Sequence, residues 1–216
     1  MKRGGGKAKG SSYERVVAKI LTAAYYPDGD GRFERILSHP IPAKGETRGD
    51  LVALRYFTTG PDDEKSLIKD SSWPFTVECK SYRDVRPIFS GLYASETALF
   101  DWMQQAAAVA AVDKKTPLVV FKVFRSANVA MLDRRDFARL QEMFGIPGFS
   151  FYMVVWRPRI CKGPIVAAGS EVEKALVFML LADLLDWIDW GVYKLAGRGQ
   201  YIRSLLPKRE ERGDDD

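Results

Sequence analysis

The chain has 216 residues, 46% hydrophobic and 28% charged, with a formal net charge of +5; that suits one packed domain with an elaborated end and a polyanionic partner. Two cysteines and one histidine exclude a disulfide framework, a four-ligand Cys/His zinc site and chemistry built on paired histidines, and they point to a reducing, cytoplasmic setting. The most apolar stretch, Ala175 to Ala182, is followed by Asp183, Asp186 and Asp189, so it falls short of the roughly 18 apolar residues a membrane span needs, and a soluble protein is expected.

Residues 1–10, rich in Gly and Lys, predict a flexible basic arm in which Lys7 and Lys9 are candidates to lie along phosphates. A helix is expected from Ser11, with Ser11 and Glu14 at capping-box spacing and Val17, Ile20, Leu21 and Ala24 on one stripe. Strands are predicted over 33–38, 50–58 and 75–80, with a Pro/Gly loop at 39–49 that holds His39, and a long turn over 59–72. A helix with an Ala-rich second half follows over 95–112. Residues 117–124 then form an apolar run of the kind buried on both faces of a sheet. Residues 127–132 predict a neighbouring strand, Asp133 caps a helix to Phe144, and 149–156 is a further strand. A long helix is expected over 171–190, with Val177, Leu180, Leu181, Leu184 and Ile188 packed on the core in preference to a subunit interface, and a charged tail over 207–216. The order α-β-β-β-α-β predicts an α/β fold: a mixed sheet flanked by helices, with a core domain over 11–160 and a helical extension over 161–206.

The informative segment is Phe75 to Lys80. Alternation puts Phe75, Val77 and Cys79 on a core face and Thr76, Glu78 and Lys80 on the other, the acid and the ammonium about 7 Å apart along the strand. Asp50 stands at the mouth of the preceding strand, where an antiparallel meander would bring it to Glu78. Two hard carboxylates can hold Mg²⁺, and Lys80 can orient a water or balance charge on a phosphate. Glu14 shares the sheet-facing stripe of the first helix and is either a further ligand or only a capping residue. On the second helix, Gln105 or Gln104 is placed to bond a water or phosphate.

The run Gly10-Ser11-Ser12-Tyr13-Glu14-Arg15, then Gly49-Asp50, then Glu78-Cys79-Lys80-Ser81, then a helix with Gln105, resembles the PD-(D/E)XK nucleases. Among them it is most similar to the archaeal and bacteriophage Holliday-junction resolvases, over about residues 10–133. The resemblance implies a restriction-endonuclease-like fold, Asp50 and Glu78 as metal-binding acids with the backbone carbonyl of Cys79, and Lys80 as the catalytic lysine. Glu14 corresponds to the first-helix acid, Gln105 to the helix glutamine and Ser38 to a serine before the Asp strand. It further implies Mg²⁺ or Mn²⁺ and a homodimer that cuts branched DNA. Flaps, ends or recognition sites are alternative substrates, and a DNA-binding module without catalysis is the alternative of another class. Position 49 is glycine where the family favours proline. Pro61-Asp62-Asp63-Glu64-Lys65 spells the motif in five consecutive residues, too close together to span two strands. Arg83 and Arg86, directly after the Glu-Cys-Lys strand, are the first candidates for phosphate contact.

Overall fold

A computed structural model describes residues 5–36, 49–58, 65–82, 98–123, 127–156 and 174–191, with side chains of the first helix from Ser12 onward. In chain order these form α1 (Gly5–Tyr25), β1 (Gly31–Arg35), β2 (Leu51–Thr58), β3 (Lys65–Lys69), β4 (Phe75–Tyr82) and α2 (Ala98–Asp113). There follow β5 (Thr116–Val123), β6 (Asn128–Asp133), α3 (Arg134–Phe144), β7 (Tyr152–Trp156), β8 (Lys174–Leu180) and α4 (Leu181–Trp187). The strands make one eight-stranded sheet in the order β1-β2-β4-β5-β6-β8-β7, with β3 pairing β2 beyond the reach of β4. All described pairings are antiparallel except β4 with β5. The architecture is the expected mixed α/β sheet flanked by helices.

The single parallel pair decides where α2 goes. Parallel neighbours need a crossover connection, and α2 supplies it, lying over β4 and β5. Its Leu99, Trp102, Met103 and Ala106 pack on Val119, Phe121, Met131 and Leu176. The Ala-rich half of α2 lets it sit close, with Ala106 and Ala110 buried. The opposite face carries the larger core. Tyr13, Val17, Leu21 and Tyr25 of α1 meet Phe33, Leu51, Val77, Leu118 and Val120, and α3 and α4 cover the far end. β5 is buried on both faces from Leu118 to Phe121, as its apolar run predicts.

Three expectations are corrected. α1 starts at Gly5, so Ser11 is interior to the helix and not its cap, and the helix enters the stretch expected as an arm. The turn predicted over 59–72 contains β3, whose five residues are held as a strand by pairing with the outer half of β2. The long C-terminal helix divides into strand and helix: Lys174–Leu180 is β8, inserted between β6 and β7, and helix begins only at Leu181. The cause is the apolar run Ala175 to Leu181, buried enough on both faces that periodicity cannot separate strand from helix. The core assignment survives: Val177, Leu181, Leu184 and Ile188 are buried, while Leu180 is 46% exposed. Asp133 caps α3 as expected, its carboxylate accepting the Arg135 N–H at 2.8 Å.

Candidate active site

β4 presents its two faces to different partners. Val77 and Phe75 enter the core under α1. Glu78 and Lys80 lie opposite Val119 and Phe121 in the parallel register and so point to the α2 side. This polar face is not solvated: Thr76 and Glu78 are 4% and 5% exposed. A buried carboxylate needs a partner, and Glu78 has one in Lys80, whose Nζ donates to its Oε1 at 2.6 Å. The same ammonium donates to Oε1 of Gln105 on α2 at 3.1 Å.

Asp50 enters from the other side. β2 meets β4 at Leu51↔Val77, which brings the residue before β2 alongside the polar half of β4. The Asp50 N–H donates to the Val77 carbonyl, and the Asp50 carbonyl accepts from the Ile36 N–H, both at 2.9 Å, so its backbone is held between β1 and β4. Its side chain accepts the Cys79 N–H at 2.6 Å. Gly49 is part of the same fit. A Cβ there would lie 2.9 Å from Cγ2 of Thr76 and 3.0 Å from the Val77 oxygen, which gives the glycine in place of the family's proline a steric reason.

The electrostatics agree with convergence of the two acids. Burial raises the Glu78 carboxyl above its usual range and the charge of Asp50 raises it further, against the pull of Lys80. Burial also raises Asp50, opposed by the Cys79 N–H, Lys80 and Arg35. The Cys79 thiol is pushed up, by burial first and then by the surrounding acids.

The donor set fits a hard divalent cation. The N–H and C=O of one strand residue point to the same side, so the Cys79 carbonyl lies on the β2 edge of β4, the edge from which its N–H reaches Asp50. Asp50, Glu78 and this carbonyl are oxygen ligands of the kind Mg²⁺ and Mn²⁺ take. The Thr76 hydroxyl, on the same face as Glu78, is buried without a partner among the described residues.

Glu14 is near, since its charge acts on Glu78 and Cys79, but its Oε2 is ion-paired with Nε of Arg35 at the end of β1. Among the described residues no three His, Cys, Asp or Glu side chains are grouped to hold one ion. Gln105 and not Gln104 turns to Lys80; Gln104 lines a groove of about 580 Å³ with Met103, Arg134, Arg135 and Leu176. Ser38, His39, Arg83 and Arg86 lie outside the described residues, as do the side chains of Lys7 and Lys9. Two contributors escape the sequence reading. Arg35 reads as an ordinary charge near a strand end, and Gly49 only as a departure from a motif. Arg35 carries no signal separable from the other arginines, whereas Gly49, next to a candidate acid, was the available clue.

No helix among the described residues is long and apolar enough to cross a membrane. Comparison with curated proteins and with solved structures gave no match. A family model does match, over residues 5–145, described as "Phage putative PDDEXK endonuclease". That span is more than half of the chain and contains Glu14, Asp50, Glu78, Lys80 and Gln105, so the chain belongs to this PD-(D/E)XK endonuclease family.

Proposed function

We propose that the protein is a divalent-metal-dependent endonuclease that hydrolyses DNA phosphodiester bonds, with Asp50, Glu78 and the Cys79 carbonyl holding Mg²⁺ or Mn²⁺ and Lys80 as the catalytic cation. One observation supports the reading: the Lys80 ammonium pairs with the buried Glu78, and Asp50 accepts the N–H of Cys79 between them, where β2 meets β4. When bound, the cation polarises the scissile phosphate and makes a water more acidic. The chain's own residues do the rest. Asp50 is fixed by the Cys79 N–H, so its free lone pairs are aimed and need no reorganisation. Glu78, paired with Lys80 in the free protein, would be one of the residues that hold the cation, and Lys80 would serve a phosphate oxygen or the attacking water. Gln105, which accepts from the same ammonium, holds Lys80 in position.

We further propose branched DNA, four-way junctions first, as the substrate. The support is the similarity of the Glu14, Asp50, Glu78, Lys80 and Gln105 series to the junction resolvases. A homodimer would supply the two cuts. Its support is β7, which lies at the sheet's edge among the described residues and carries no charged residue, with Tyr152 and Met153 75% and 50% exposed and Phe151 exposed beside it. The deciding experiment is digestion of a synthetic four-way junction, a flap and a linear duplex with Mg²⁺, with Mn²⁺ and with EDTA, using wild type and Asp50→Asn. Metal-dependent cutting that Asp50→Asn abolishes, strongest on the junction, is expected. Cutting of flap or duplex alone moves the substrate assignment and leaves the nuclease. DNA binding with no divalent-ion-dependent cutting assigns a binding module instead.

A further inference from the structure

Arg35 stands where a nuclease has little use for a spectator. Its guanidinium pairs with Glu14, the side chains being only 28% and 16% exposed, and its charge also acts on Asp50. The backbone fixes this position. Arg35 closes β1 opposite Leu51, and the next residue, Ile36, donates to the Asp50 carbonyl. The strand is therefore held by the β1–β2 ladder and not by the ion pair, so the guanidinium can change partners while its backbone stays in place.

The charges favour such a change. With all groups ionised, Glu14, Asp50 and Glu78 bring three negative charges and Arg35 and Lys80 two positive ones, one short of neutrality. A DNA phosphate at this spot adds another negative charge, and one divalent cation then balances the site. A guanidinium fork suits phosphate as well as carboxylate, so an entering phosphate can compete with Glu14 for Arg35. A carboxylate released beside Glu78 would then have a cation to go to.

We propose that Arg35 is a substrate-released clasp: in the free protein it keeps Glu14 off the metal site, and on DNA binding it moves to a backbone phosphate and frees Glu14 for the cation. This rests on the metal-dependent reading above. It makes the arginine a link between substrate arrival and completion of the ligand set, so the fully liganded site forms only where DNA is present. It also accounts for an acid that lies close to Glu78 while no three-acid group exists among the described residues.

The test is a Mn²⁺ titration of the full chain without DNA, followed by calorimetry and by the electron paramagnetic resonance signal of free Mn²⁺. It compares wild type, Arg35→Ala, Arg35→Gln, Glu14→Gln and the Arg35→Ala/Glu14→Gln double variant, each checked by thermal melting. Either Arg35 variant is expected to bind Mn²⁺ several-fold more tightly than wild type while cutting DNA at least tenfold more slowly. The double variant should lose that gain in affinity. A merely structural role would weaken both properties together. Unchanged or weaker Mn²⁺ binding in the folded Arg35 variants overturns the clasp, and the metal reading then stands if Asp50→Asn still removes binding. If wild type shows no Mn²⁺ binding that Asp50→Asn removes, the metal reading falls and the clasp with it.

Discussion

The Lys80 ammonium reaches across from the sheet to the helix above it, donating to Oε1 of Gln105 at 3.1 Å while it also pairs with Glu78. Glu78 on the strand and Gln105 on the helix thus accept from one donor, and the crossover between β4 and β5 is what brings them together. Lys80→Ala should slow cleavage by about 10²–10⁴-fold, the usual range for a positioned proton-transfer group, and leave DNA affinity nearly unchanged. Gln105→Ala should cost about tenfold, in line with one hydrogen bond to a charged group. Gln104→Ala, on the other side of α2, should cost little. Single-turnover cleavage beside a binding isotherm measured in Ca²⁺ reads all three. Affinity that falls in step with rate would remove the role given to Lys80.

Gly49 provides a steric test of how tightly Asp50 must be placed. In Gly49→Ala the new methyl meets Cγ2 of Thr76 at 2.9 Å and the Val77 oxygen at 3.0 Å, so Thr76 must turn and the strand mouth must give. A displacement of about 1 Å at a reacting centre can cost on the order of 10²-fold in rate. The expected result is a folded protein by circular dichroism, cleavage slower by about that factor, and unaltered DNA binding. Wild-type cleavage would mean that the mouth of β2 yields without shifting the carboxylate.

Away from the site, Asp70 sets an acid limit on stability. Burial alone would raise its carboxyl, but hydrogen bonds from Ser72 and from the Tyr26 hydroxyl at 2.7 Å, with Arg55 nearby, outweigh burial and hold it below its usual value. A carboxyl depressed in the folded state stabilises fully above its unfolded pKa of about 3.9, and that contribution disappears as pH falls through the lower folded value. Asp70→Asn should therefore melt at a lower temperature than wild type near pH 7, and the gap should close below about pH 4. Melting curves from pH 2.5 to 7, on the order of the span that carboxylates titrate, read this directly. A gap that stays constant across the series would show that Asp70 acts by packing alone.

The proposed subunit contact makes its own demand on β7. A lysine on an edge strand discourages pairing with another strand. Tyr152→Lys and Met153→Lys change exposed side chains and should leave the monomer folded. Sedimentation equilibrium should show a dimer for wild type and a monomer for the double variant. A wild-type monomer at micromolar concentration would place the second cut with a second, independent molecule.

Much of this was readable before any coordinates. The alternation in Phe75–Lys80 and an acid at the mouth of the preceding strand nominated Asp50, Glu78 and Lys80, which the structure brings to one place, because a strand's period of two fixes which side chains share a face. The cap at Asp133 and the doubly buried β5 were equally plain. What failed did so for definable reasons. Adjacent glutamines on a helix differ only by the helix's rotation, which packing sets. β3 is short and charged and exists through its partner strand. The run Ala175 to Leu181 is apolar at nearly every position and so carries no period. Arg35 joins Glu14 only because β1 and α1 approach one another in space.

The position of β8 between β6 and β7 has a practical corollary for anyone trimming the gene. The family match stops at residue 145, yet β6 has its outer neighbour some 30 residues later in the chain. Cutting at the end of the match would strip Ala130, Met131 and Leu132 of their covering strand and turn the middle of the sheet into a raw, aggregation-prone border. A minimal expressible version of this protein must therefore run through Leu180 and keep the helix that follows it.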